Sequence, residues 1–322
     1  MKGVIIGDVV GSYYEFRGQK GYDMTFYNAA STFTDDTILS LAVAGALLEN
    51  KENPDYKKFI IEFSKKYSDE DSNGPTYITP SFGSMFSNWV YFGDDNDHEP
   101  YGSYGNGGAM RTLPVAWVFN DLETVIEHAA LQSSVTHNHP DGVRGACAIA
   151  ATAFLYKEGK SNQEISDFLM DRFAIDVNLD LDHLHKTYSF KETALESVPQ
   201  AIACVMQATD FESVYRNVLY IGGDVDTLMA MAGGIADFKF HDEPPSSELI
   251  KYGLAPLQKY APELFSIYQD FKEKFVNPTI FPEKKKVYDQ MIEKEHCSSE
   301  GKTIDKKSVV NNFFDSLKNG FG

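Results

Sequence analysis

Residues 3–11 read GVIIGDVVG, and they decide between two fold classes. Val4, Ile5, Ile6, Val9 and Val10 are β-branched and suit a strand. The apolar run is also short enough to be one buried helix, and periodicity alone does not separate the two at this length. Elsewhere the pattern is helical. In 38-ILSLAVAGALLE-49 the residues Ile38, Leu41, Val43, Leu47 and Leu48 recur on or near one face. The same spacing predicts helices over 55–67, 121–137, 143–159, 162–174, 198–208, 211–221, 226–238 and 246–260. Small residues on several sides of these segments, such as Gly145, Ala146 and Ala148 or Ala232, Gly233 and Gly234, permit close helix approach. The segment 81–108 holds too many glycines for long regular structure. From pattern alone the expected fold class is all-α, with 3–11 open between strand and helix.

The chain has 322 residues, of which 43% are hydrophobic and 24% charged, enough apolar material for a core. Its formal net charge is −18. That field repels phosphate backbones and anionic lipid, so electrostatically driven nucleic-acid or membrane binding is not expected. An anionic substrate would need a metal, an arginine or helix N-termini to receive it. Cys147, Cys204 and Cys297 show no metal-binding spacing. The N-terminal apolar run is broken by Gly7 and Asp8, which is unlike a signal peptide. A cytoplasmic location is the expectation. After about residue 277 the chain turns polar and Lys-rich, so 1–277 reads as one domain. Residues 278–322 read as an appendage, with a short helix around 309–317.

Two acidic motifs stand out. In 31-STFTDDTILS-40, Asp35 and Asp36 lie between Thr34 and Thr37, ahead of a helix. In 222-GGDVDTLMAMAGG-234, Asp224, Asp226 and Thr227 repeat the arrangement. Taken singly, each reads as a helix cap, since Asp and Thr accept hydrogen bonds from first-turn N–H groups. One cap needs one oxygen, and Thr37 is the ordinary first-turn residue of its motif. Both motifs carry surplus carboxylates that repel unless a cation lies between them. An oxygen-only donor set without His or Cys suits Mg²⁺ or Mn²⁺. Four carboxylates and two hydroxyls suffice for two such ions.

The segment 101-YGSYGNGGAMR-111 has four glycines between Gly102 and Gly108, and freed backbone N–H groups there could surround a phosphate. It matches neither a P-loop nor a dinucleotide fingerprint. By itself it is more often a turn, and the commoner fate of Arg111 is a structural salt bridge. In 134-SVTHNHPDGVRG-145, His137 and His139 stand before a proline, where a plain turn is the leading reading. Nothing local singles out Glu15.

In this order, GDVVGSYYEF, FTDDT, YGNGGAMR, THNHPDGVRGA, SVPQAI and GGDVDT resemble the ADP-ribosylglycohydrolase family. The resemblance implies a compact, single-domain helical bundle with a cleft for two Mg²⁺ or Mn²⁺ ions, and hence a helix over 3–11. It implies Thr34, Asp35 and Asp36 as metal ligands from one side, with Asp224, Asp226 and Thr227 from the other. Glu15 would lie near the metals and the scissile ribose. Residues Gly102, Ser103, Tyr104, Gly105, Asn106 and Gly107 would wrap a diphosphate, with His137 by the adenosine half. The implied reaction hydrolyses the bond between ADP-ribose and a modified protein side chain, small-molecule acceptor or nucleobase. Either Glu15 or Asp36 would take the proton of the attacking water. Members that cleave ADP-ribosyl-arginine through a further aspartate have CFDIG where this chain reads YGSYGNGGAM, so that residue is not carried over. A non-catalytic ADP-ribose or nucleotide binder and a Mg²⁺-dependent phosphohydrolase acting on the diphosphate are the competing readings.

Overall fold

The computed structural model describes residues 1–68, 82–93 and 98–277. The appendage 278–322, with its expected helix around 309–317, lies outside the described residues. Residues Met1–Lys272 form one compact unit. Its elements are α1 (Lys2–Ser12), α2 (Asp35–Glu49), α3 (Tyr56–Ser68), α4 (Ser84–Phe92), α5 (Gly107–Met110), α6 (Pro114–Val118), α7 (Leu122–Ser134) and α8 (Pro140–Lys157). They continue as α9 (Asn162–Phe173), α10 (Leu181–Thr187), α11 (Ala194–Met206), α12 (Phe211–Ile221), α13 (Val225–Lys239), α14 (Ser247–Tyr260) and α15 (Pro262–Phe271). No strand occurs among the described residues; the sole bridge joins Gly105 to Thr193. The all-α expectation holds. The glycine-rich region differs in one respect, because α4 gives it nine residues of regular helix.

GVIIGDVVG is helical, and α13 shows why. Helix α13 is buried from Val225 to Phe238 and packs against α1, α2, α5, α8, α11 and α12. Helix α1 is buried from Gly3 to Gly11, so neither helix has a solvent face and neither shows amphipathic contrast. Gly3, Gly7 and Gly11 recur at intervals of four and share one face of α1. A Cβ on Gly3 would lie 1.9 Å from the Gly233 carbonyl oxygen, and one on Gly7 would lie 2.2 Å from that of Met229. At Gly11 it would lie 2.4 Å from the Cα of Asp226. The two backbones touch along this seam, which only glycine permits. The Tyr215 hydroxyl of α12 donates to the Gly3 carbonyl at 2.7 Å and closes one end of it. At that end Asp237 accepts from the buried Met1 amino group and from the Gly3 N–H at 2.9 Å, and it forms an ion pair with Lys2 at 3.1 Å.

Outer helices begin with local caps. Asp121 accepts from the Thr124 N–H, and Ser161 with Glu164 forms a reciprocal capping box. Their inner faces supply fully buried side chains such as Ile60, Leu169 and Leu264, each stabilising by about 2 kcal/mol. Cys147 and Cys204 are buried and free.

Candidate metal centre and substrate cleft

Four segments meet at one end of the α1–α13 seam. Helix α1 brings Asp8, and the turn after it brings Glu15. The first turn of α2 brings Thr34, Asp35 and Asp36, and the start of α13 brings Asp224, Asp226 and Thr227. Gly222 and Gly223, at φ 69° and 101°, make the sharp turn from α12 into α13. Helices α2 and α13 both begin here, so the positive ends of two backbone dipoles favour the carboxylates.

Two sets of three carboxylates have oxygens within 4.8 Å of one another: Asp8, Asp36 and Asp226, and Glu15, Asp224 and Asp226. Asp226 belongs to both. Asp35 belongs to neither; it is partly exposed and lines the adjoining cavity. Asp8 was not anticipated from the sequence. It is fully buried and accepts from the Thr34 N–H at 2.9 Å, the Thr34 hydroxyl at 2.8 Å and the Thr37 N–H at 3.1 Å. It thereby ties α1 to the start of α2.

The capping expectation needs a correction. The capping oxygen of α2 is on Thr34, which accepts from the Asp36 N–H at 3.4 Å, while Thr37 sits inside the first turn. Asp224 holds the cap position of α13 but caps nothing. Its Oδ2 accepts from the Asn106 side-chain amide at 2.8 Å. The Thr227 hydroxyl donates to Asp36 Oδ2 at 3.2 Å, and the Thr34 hydroxyl oxygen, whose proton goes to Asp8, lies 3.3 Å from the same atom.

Burial and mutual repulsion make this cluster costly without a counter-charge. Burial raises the Asp8 and Asp224 carboxyls to about 6, although hydrogen bonds to each pull the other way. Burial, then repulsion from Asp8, raises Asp35 to about 7. Asp36 and Asp226 are raised well above the ordinary range by burial and by their acidic neighbours. Two buried oxygens, Asp36 Oδ1 and Asp226 Oδ1, accept no hydrogen bond among the described residues. An unsatisfied buried carboxylate oxygen is costly unless it meets a cation. An oxygen-only set of this kind suits a hard divalent ion.

Beside the cluster lies a cavity of about 660 Å³, lined by Glu15, Asp35, Asp36, residues 101–107, Arg111, His137 and residues 190–193. Gly102, at φ 72°, donates its N–H to the Asn138 side chain at 2.8 Å. The Ser103, Gly105 and Asn106 N–H groups go to the Thr136 carbonyl, the Ser103 hydroxyl and the Glu192 carbonyl. Four donors of the loop are therefore already engaged, and its cradle is narrower than the glycine count suggests. Tyr104 is exposed and packs edge-on against His139, which caps α8 at the rim. His137 and His139 lie in the turn between α7 and α8, as the sequence suggests, but the His137 side chain is buried at the cavity. Arg111 is fully buried and forms no salt bridge among the described residues, contrary to expectation. Its partners are the Gln132 side chain and carbonyl and the Thr136 hydroxyl, at 2.8–2.9 Å.

The sequence profile of the ADP-ribosylglycohydrolase family matches residues 1–236, which carry every residue of this centre. The chain belongs to that family. ADP-ribosylhydrolase ARH3 of Homo sapiens is 26% identical over 316 residues, spanning 77% of this chain and 86% of the relative. The uncharacterized protein YegU of Escherichia coli is 28% identical over 254 residues, covering 68% and 74% of the two chains. A solved structure titled as an ADP-ribosylglycohydrolase-related protein complex superimposes with a TM-score of 0.56 at 19% identity. It covers 80% of this chain and 94% of its own, and shows a shared fold. The ADP-ribosylglycohydrolase family and the ARH3 relatives support ADP-ribosyl hydrolase activity. No described helix is long and apolar enough to cross a membrane.

Proposed function

We propose that this ADP-ribosylglycohydrolase hydrolyses the glycosidic bond between ADP-ribose and a modified acceptor, with two Mg²⁺ or Mn²⁺ ions in the acidic cluster. The observation that carries the reading is the pair of carboxylate trios sharing Asp226, with unsatisfied buried oxygens on Asp36 and Asp226, at the wall of the cavity. Asp36, Asp224 and Asp226, with Thr34, Thr227 and Asp35 around them, would hold the ions. Asp8 buttresses this set from α1, as groups behind a ligand shell commonly do. When bound, the cations supply positive charge and a template that orients the sugar.

The chain's own residues divide the remaining work. Glu15 is partly exposed on the cavity wall and reaches Asp224 and Asp226, so it is the better placed base. Asp36 is buried and receives the Thr227 hydroxyl on one oxygen while the other is unsatisfied, which suits ligation. Glu15 takes a proton from water as the water adds to the anomeric carbon. The bond to the acceptor breaks through an oxocarbenium-like state, and the acceptor leaves with a proton. Residues Gly102–Gly107 and His137 bind the diphosphate and adenosine part and hold the sugar at the cluster.

Product analysis on ADP-ribosylated arginine, serine and nucleobase substrates tests this. Free ADP-ribose, released in a cation-dependent manner, is the expected product. Release of AMP would instead mean phosphohydrolysis of the diphosphate. Tight ADP-ribose binding without turnover on any acceptor would make the protein a binder.

A further inference from the structure

His137 has two ring nitrogens in different surroundings. Nδ1 lies 2.8 Å from the Thr136 hydroxyl oxygen. Nε2 faces the glycine loop: a Cβ built on Gly107 would lie 2.8 Å from it, and one on Gly105 would lie 3.4 Å away. Gly108 and Gly142 crowd the His137 Cβ on other sides, at 3.3 and 3.2 Å from their own built Cβ positions. The imidazole is thus packed against loop backbone that carries no side chains.

The direction of the Thr136–His137 hydrogen bond follows from a third residue. Arg111 Nη2 lies 2.8 Å from the same Thr136 oxygen. A guanidinium only donates, so Thr136 must accept there. Its own proton then needs an acceptor, and His137 Nδ1 is the one within reach among the described residues. An Nδ1 that accepts cannot carry a proton, so a neutral ring has its hydrogen on Nε2. Burial, then the Arg111 charge, pushes the His137 pKa well below its ordinary value and keeps the ring neutral.

We propose that Arg111 and Thr136 act as a positioning relay that fixes His137 as the Nε2–H tautomer and aims an N–H donor at a ligand against the glycine loop. That the ligand is ADP-ribose rests on the function proposed above; the relay does not. Four of the loop N–H groups are already engaged, and His137 Nε2–H adds a donor from a neutral group. The charge stays on Arg111, which also lines the cavity and whose Nη1 has no partner among the described residues.

Histidine nitrogen NMR on the ¹⁵N-labelled full chain reads the tautomer directly, with the His137 signals assigned by their loss in His137→Gln. In the wild type, Nδ1 is expected at an unprotonated, hydrogen-bond-accepting shift and Nε2 at a protonated one, unchanged across neutral pH. Thr136→Ser keeps the hydroxyl and should keep this signature. Thr136→Val keeps the shape, removes the hydroxyl, and should give mixed tautomers with ADP-ribose binding weakened about fivefold, the worth of one neutral hydrogen bond. A wild-type Nδ1–H ring, or a Thr136→Val spectrum identical to wild type, overturns the relay. The expected spectra without ADP-ribose binding by the wild type support the relay and remove ADP-ribose as its ligand.

Discussion

Replacing Asp36 with asparagine is expected to stabilise the cation-free protein near neutrality while abolishing its response to Mg²⁺. Asp36, Asp8 and Asp226 hold their oxygens within 4.8 Å of one another. Two unit charges at that separation repel by about 3.5 kcal/mol at an effective dielectric constant of about 20. The pKa shifts give the same scale. Asp8 and Asp224 rise from 3.8 to about 6, and two units amount to about 3 kcal/mol per group. Because these folded-state values lie above the unfolded one, the native chain binds more protons than the unfolded chain between 3.8 and about 6. The contribution of these carboxyls to the stability of the cation-free protein is therefore greatest in acid and falls as pH rises through their folded-state values. Asparagine at position 36 retains an oxygen for the Thr227 hydroxyl but removes one repelling charge. The assay is urea unfolding with chelator or with saturating Mg²⁺, at about pH 5 and about pH 7.5. With chelator at the higher pH, the variant should gain about 3 kcal/mol over wild type, and the gain should shrink in acid. Mg²⁺ should stabilise wild type more at the higher pH and leave the variant unmoved. A variant that is less stable than wild type without cations, or that keeps the full Mg²⁺ shift, would refute the reasoning.

Further outcomes follow from the same geometry. Glu15→Gln should lower kcat by about a hundredfold or more while ADP-ribose still binds by calorimetry; near-normal turnover would remove Glu15 as the base. Gly7→Ala puts a methyl group 2.2 Å from the Met229 carbonyl oxygen. It should cost about 3 kcal/mol in urea unfolding, and an unchanged midpoint would mean that the α1–α13 seam is looser than described. Asp237→Ala leaves the buried Met1 amino group and the Gly3 N–H without their acceptor. A loss of about 3 kcal/mol is expected, and wild-type stability of this variant would contradict the buried pairing.

The acidic motifs were legible because their surplus charge is local, visible within five residues of sequence. The helix over 3–11 was less so, because a helix buried on every side has no polar face to set its period. A signal was nonetheless present in Gly3, Gly7 and Gly11, spaced at four, which marks a helix face meant for close contact. Asp8 was overlooked for a related reason. It stands alone in an apolar run, with no second ligand nearby to form a motif. The usable clue was physical: a carboxylate in a run that must be buried needs partners from elsewhere. The environment of Arg111 could not be read at all, since its acceptors are a neutral side chain, a carbonyl and a hydroxyl brought in by α7 and the turn after it. Nothing in YGNGGAMR names them.

The contact between Asp36 and Thr227 spans 191 positions of chain, and Asp8 joins it from α1. No fragment that lacks either α2 or α13 contains both sides of the cluster. Contacts of such sequence separation close late, after the chain entropy of the intervening loops has been lost. During refolding, cation affinity should therefore arise with the last cooperative step rather than with the first helices. The unfolded chain offers the ion no comparable site, so nearly all of the binding free energy goes to the completed fold. A divalent cation would then report on whether synthesis and folding have finished, as well as serving the reaction.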